Sequence, residues 1–168
     1  MYYFAYGSNL SSRRLRQRLS SARPVSMARL QNHKLCWHKQ GRDGSGKCDA
    51  AHTGDASHEV IGVVYSMAAQ ERPLLDRYEG VGVGYEAVEI RPVLDTGKYV
   101  QAFTYRATLI DASAMPFRWY KIHVLQGAYE HNLPSEYIAQ LEAVPTLEDP
   151  DRERHQRELL VYGDEILR

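Results

Sequence analysis

Met1-Tyr2-Tyr3-Phe4-Ala5-Tyr6-Gly7-Ser8-Asn9-Leu10 opens the chain with an apolar, aromatic-rich run broken by a glycine and two small polar residues. The run reads as a short buried strand. Beyond the break, Leu10, Leu15 and Leu19 fall on a loose helical face, with Arg13, Arg14, Arg16 and Arg18 elsewhere. That pattern predicts a helix capped by Ser8 or Asn9, with the arginines on a solvated face. A strand entering a tight turn and then a helix leaves backbone N–H groups unpaired at the turn. They can receive a carboxylate or a developing oxyanion, and Gly7 has no Cβ to hold a ligand away. An ordinary capped helix start uses the same residues, so both readings stand at this point.

Further along, Val25–Trp37 reads as extended, and the polar stretch Gln40–Lys47, with three glycines, as a mobile loop. Glu59–Met67, with Val60, Ile61, Val63, Val64 and Tyr65 around Gly62, is the clearest strand. Ala68–Tyr78 has helical spacing, with Pro73 tolerated in its first turn and Gly80 as its stop. Tyr85–Leu94 and Lys98–Leu109 predict a hairpin about Asp95-Thr96-Gly97. Pro116–Tyr129 and Pro134–Val144 predict helices, and Glu148–Glu158 a solvated tail or exposed helix. Strands cluster early and helices late, which predicts an α+β fold with one barrel-like or strongly curved sheet.

Glu79 stands where the helix over 68–78 gives way to Gly80-Val81-Gly82-Val83-Gly84-Tyr85. A carboxylate at a helix C-terminus faces the negative end of the dipole, and partial burial would add to the same effect. Both favour the neutral acid, which suits a group that takes a proton and later returns it. A surface glutamate before a flexible loop is the plainer reading. The alternating glycines do not make a dinucleotide-binding fingerprint.

Composition narrows the rest. The 168 residues suit one domain, 43% are hydrophobic, and Lys+Arg and Asp+Glu are equal at 21 each. That balance gives no reason to expect nucleic acid as a partner. No stretch is long enough to span a membrane, so the expectation is a cytoplasmic protein with Cys36 and Cys48 reduced. The seven histidines and two cysteines show no metal-ligand spacing. Ser8 lacks the Gly-x-Ser-x-Gly context of a nucleophile.

Tyr3-Phe4-Ala5-Tyr6-Gly7-Ser8-Asn9-Leu10 resembles the N-terminal signature of the γ-glutamylcyclotransferase-like (AIG2-like) superfamily. Leu75-Asp76-Arg77-Tyr78-Glu79-Gly80-Val81, followed by Gly84-Tyr85, resembles its catalytic segment. Glu59–Tyr65 sits at its central strand. Trp119-Tyr120-Lys121-Ile122, Gly127-Ala128 and Leu133-Pro134-Ser135-Glu136-Tyr137 resemble its helical C-terminal part. The likeness covers residues 2–143. The segment between Glu79 and Tyr85 is shorter than the family pattern, and the charged tail from Glu148 matches nothing in it.

The resemblance implies one domain over 1–168, a small mixed β-barrel with surrounding helices. It implies an enzyme that converts a γ-glutamyl amino acid or amine to 5-oxoproline and the free amine, with no metal or cofactor. Glu79 would be the acid/base catalyst. The Gly7–Leu10 backbone would hold the substrate's α-carboxylate or γ-carbonyl oxygen, and Tyr6, Tyr85, Tyr105 and Tyr120 would line the pocket. Removal of a γ-glutamyl group from a biosynthetic intermediate, and a non-catalytic module that binds a small acid, are the alternatives. The expected partner is a small molecule, neither nucleic acid nor membrane. Oligomeric state stays open, a homodimer included.

Overall fold

The computed structural model describes residues 1–165. The strands are β1 (Tyr2–Ala5), β2 (Arg23–Gln31), β3 (His33–Gln40), β4 (Gly46–His52), β5 (Glu59–Ser66), β6 (Tyr85–Ile90), β7 (Val93–Leu94) and β8 (Ala102–Ala107). The helices are α1 (Ser12–Arg18), α2 (Arg72–Glu79), α3 (Arg118–Glu130), α4 (Ser135–Glu142) and α5 (Arg152–Leu159).

The main sheet has the order β6-β8-β1-β5-β2-β7, and β3 and β4 form a separate two-stranded sheet. β1 pairs parallel to β8, while the other pairings are antiparallel. The fold is therefore α+β with a mixed sheet, as expected. The sheet curls without closing, so it is no true barrel: β6 and β7, two residues apart in sequence, lie on opposite edges. Pro92 helps to explain the break, since it brings no N–H to continue a ladder. Beyond it Val93 and Leu94 pair with Arg29 and Ala28 of β2. The predicted turn at Asp95-Thr96-Gly97 is present, with Gly97 N–H donating to Leu94 O at 2.8 Å.

The core gathers around β5 and the strand, turn and helix that open the chain. Val60, Val63, Val64 and Tyr65 of β5 are buried, in keeping with its place between β1 and β2. Phe4, Leu10, Leu15 and Leu19 pack beside them. α3 approaches closely at Gly127, where a Cβ would lie 2.3 Å from the Leu10 carbonyl carbon. The helix thus backs the Ser8–Leu10 turn.

Three sequence expectations change. Val25–Trp37 is split by Asn32, whose φ of 60° turns β2 into β3. The stretch Gln40–Lys47 is a fastened hairpin tip: Gly41 N–H donates to Ser45 O at 2.8 Å, and Lys47 Nζ and Ser45 N–H donate to the Asp43 carboxylate. The charged tail forms the expected helix, exposed along Arg152, Glu153, Gln156 and Arg157, but it also docks. The Asp149 carboxylate accepts from Trp119 Nε1 at 2.7 Å and from Arg154, while Leu159 and Tyr162 are buried. Residues 166–168 of that tail lie outside the described residues. Among the described residues no helix is long and apolar enough to cross a membrane.

Candidate active site

Helix α1 is capped by neither Asn9 nor Ser8. Ser11 takes the N-cap position, its hydroxyl accepting from Arg14 N–H at 3.4 Å. Ser8–Leu10 instead form one 3-10 turn, in which Leu10 N–H donates to Gly7 O at 2.9 Å. The Ser8 and Asn9 N–H groups have no protein acceptor among the described residues. Released from capping, the Asn9 amide bridges three groups. Its Nδ2 donates to Glu79 Oε1 at 2.8 Å and to the Tyr3 hydroxyl at 3.1 Å, and its Oδ1 accepts from Arg18 Nη1 at 2.9 Å.

Glu79 is the last residue of α2. Gly80 ends the helix with φ 70°, ψ 45°, a left-handed geometry that costs glycine little. The Glu79 carboxylate is directed toward α1, where Arg18 Nη1 donates to Oε1 at 3.1 Å. Both side chains are largely enclosed, 16% and 17% exposed. A carboxylate removed from water needs such a partner. Arg18 therefore does not lie on a solvated face, and nor does Arg14, which is buried against Glu158. Arg13 and Arg16 are exposed, as expected.

Glu79 borders a small enclosure with Tyr3, Tyr6, Gly7, Ser8, Asn9, Cys48, Tyr85, Tyr105 and Tyr120. Seven of the eight sequence-predicted binding positions, Tyr6, Gly7, Ser8, Asn9, Tyr85, Tyr105 and Tyr120, thus gather around the predicted catalyst. Leu10 does not: it is fully buried in the core and its N–H closes the turn, so it offers a ligand nothing. Gly7 stands where a Cβ would press on Cys48 Cβ at 3.0 Å and the Tyr120 hydroxyl at 3.1 Å.

The tyrosine hydroxyls are anchored. Tyr85 donates to Cys48 O at 2.6 Å, Tyr120 accepts from Cys48 N–H at 2.9 Å, and Tyr105 donates to Asp76 Oδ1 at 2.6 Å. Burial drives the pKa of Tyr6, Tyr85 and Tyr120 well above the ordinary phenol value, so they remain neutral donors. Burial raises the Cys48 thiol too, which removes it as a nucleophile.

A γ-glutamylcyclotransferase from Homo sapiens is 37% identical over 150 residues, spanning 84% of this chain and 77% of the relative. The chain belongs to the γ-glutamylcyclotransferase (AIG2-like) family. A family model described as AIG2-like matches residues 59–141. A solved γ-glutamyl cyclotransferase structure superposes with a TM-score of 0.83 at 30% identity, covering 94% of this chain and 98% of its own. An uncharacterised human protein does so at 0.80 and 34%, covering 87% and 88%.

Sequence reasoning missed Tyr3, Arg18 and Lys39, all near Glu79. Arg18 had a signal: with Arg14 it forms an i, i+4 pair flanking Leu15, so a buried stripe carries both inward.

Proposed function

We propose that this enzyme converts a γ-glutamyl amino acid or amine to 5-oxoproline and the free amine, with Glu79 moving the proton. The observation that carries the reading is the placement of the Glu79 carboxylate, fixed by Asn9 and Arg18, in one enclosure with the Gly7–Asn9 turn. The substrate's α-amine attacks its own γ-carbonyl carbon. A bond forms between that nitrogen and the side-chain carbonyl carbon, closing a five-membered ring, and the bond from that carbonyl carbon to the leaving nitrogen breaks. Glu79 takes the proton lost by the α-amine and delivers it to the departing nitrogen. The free N–H groups of Ser8 and Asn9 hold the α-carboxylate or the γ-carbonyl oxygen. Nucleophile and electrophile belong to one molecule, so the enzyme's work is to fold the substrate and carry a proton. The chemistry calls for no activated water. We place it in the cytoplasm, in keeping with the free thiols of Cys36 and Cys48.

The test uses a γ-glutamyl dipeptide and its N-acetyl analogue. Cyclisation gives 5-oxoproline from the first and nothing from the second. Glutamate as the main product, or comparable cleavage of both, contradicts the proposal.

A further inference from the structure

The Glu79 enclosure opens into a larger cleft of about 360 Å³. Five cations border that cleft: Arg14, Arg18, Lys39, Arg42 and Lys47. Three have carboxylate partners: Arg14 pairs with Glu158, Arg18 with Glu79 and Lys47 with Asp43. Lys39 and Arg42 have none among the described residues.

Lys39 is the unusual member. It is the penultimate residue of β3 and only 8% exposed. Its ammonium stands 4.8 Å from the centroid of the Tyr85 ring, and a Cβ on Gly84 would lie 2.8 Å from it. Its stem is buried while its ammonium borders the cleft with no carboxylate in ion-pair contact among the described residues, so it is placed to meet an anionic ligand there. The register holds it there: Lys39 pairs with Lys47 across the hairpin, and the next residue, Gln40, donates its N–H to Leu109 O at 3.0 Å. Arg42, at the exposed tip of the same hairpin, brings its guanidinium to 3.6 Å from where a Gly80 Cβ would sit. Both cations therefore flank the loop that follows Glu79, on the side of the open cleft.

Resting on the cyclotransferase reading, we infer that Lys39, aided by Arg42, binds the α-carboxylate of the leaving amino acid. The enzyme then prefers γ-glutamyl amino acids to γ-glutamyl amines. Covalent geometry supports this. In an amino acid the carboxyl carbon lies about 2.5 Å from the nitrogen, so the anion travels with the atom that Glu79 protonates. A cation serving it must share the cleft with Glu79 without neutralising Glu79 itself. Arg18 already holds that carboxylate, which leaves Lys39 for the substrate. Its ammonium can keep the face of the Tyr85 ring on one side while it meets a ligand on the other.

The experiment compares γ-glutamyl-alanine with γ-glutamyl-ethylamine, which differ only by that carboxylate. The wild-type enzyme should favour the former in kcat/KM by about 10- to 100-fold, the usual worth of a charged hydrogen bond. Lys39→Met keeps the apolar stem. It should remove most of that preference through KM, leaving γ-glutamyl-ethylamine unchanged. Arg42→Gln, at an exposed position, should erode the same preference by a smaller factor, and its folding is not in doubt on packing grounds. Equal turnover of both substrates by the wild type overturns the inference and leaves cyclotransfer standing. So does an equal loss on both in Lys39→Met, which would place Lys39 on the γ-glutamyl part. Absence of 5-oxoproline from either substrate overturns the cyclotransferase reading itself, and this inference with it.

Discussion

Glu79 has two donors on one oxygen, Oε1, from Asn9 and Arg18. Its second oxygen has no protein donor among the described residues, which leaves it for a substrate proton. Glu79→Gln keeps the side chain's shape and removes the proton acceptor. Turnover should fall about 10²- to 10⁴-fold while the melting temperature stays near wild type. Near-normal 5-oxoproline release from a folded Glu79→Gln protein would exclude this role. Arg18→Ala tests positioning. It leaves both Asn9 Oδ1 and Glu79 one donor short, and kcat should fall roughly 10- to 100-fold. A change confined to KM would instead assign Arg18 to binding. At this scale the sequence exposed Glu79, Gly7 and the tyrosines through their place beside glycines and strand ends. Arg18 escaped notice because its carboxylate partner is 61 residues distant, and Lys39 because the partner proposed for it belongs to the substrate. Their side chains are also of a type that usually faces water.

The C-terminal helix shows what charge pattern alone conceals. The stretch from Glu148 reads as solvated because nearly every residue is ionisable, yet α5 is tied to α1 and α3 through charge. Arg14 Nη1 donates to Glu158 at 2.6 Å and contacts His123 Nε2 at 2.8 Å, and His123 Nδ1 meets the Tyr162 hydroxyl at 2.7 Å. Burial, helped by the neighbouring Arg14, pulls His123 down to about 3, so the ring is neutral and donates from Nδ1. Burial works against the Glu158 charge, but the Arg14 guanidinium, donating to it at 2.6 Å, outweighs it and holds the carboxyl well below its ordinary value. Both pKa values are depressed on folding, so the unfolded chain binds more protons at low pH and stability rises with pH. The His123 contribution is complete above its ordinary value of 6.5 and fades as pH falls toward 3. The Glu158 contribution fades from 4.5 toward 2. Melting should therefore be highest above pH 6.5, decline below it, and steepen below 4.5. His123→Gln should flatten the upper part of that decline. A melting temperature constant from pH 7 to 4 would contradict the pairing. Helices α2, α3 and α4 were legible because each combines an apolar spacing with a proline or glycine boundary. β4, with Cys48-Asp49-Ala50-Ala51-His52, was not, for it has no β-branched or large aromatic residue to mark it. Its place is given instead by long-range pairing, as when Asp49 accepts from Ala107 N–H at 2.8 Å.

Over the whole molecule the α+β class followed from the order of elements, whereas the open curl of the sheet depends on β7 crossing to β2, which no local pattern records. Reaction chemistry supplies the prediction at this scale. Ring closure by an attached amine needs no metal-activated water, so activity should survive exhaustive dialysis against a chelator. Loss that added zinc restores would show a different mechanism. The site also depends on distant segments meeting. β1 lies between β5 and β8, with Tyr3 opposite both Tyr65 and Phe103, and the turn after it rests on Gly127. During translation residues 2–10 emerge on the order of ten seconds before residue 127, at typical rates of synthesis. Until residues 102–107 have followed, that aromatic segment has no partner on its β8 side, and until α3 follows it has no helix behind it. Folding of this enzyme is accordingly a late event, and a ribosome that stalls before α3 yields a nascent chain with an unfinished site and an aromatic strand available to chaperones.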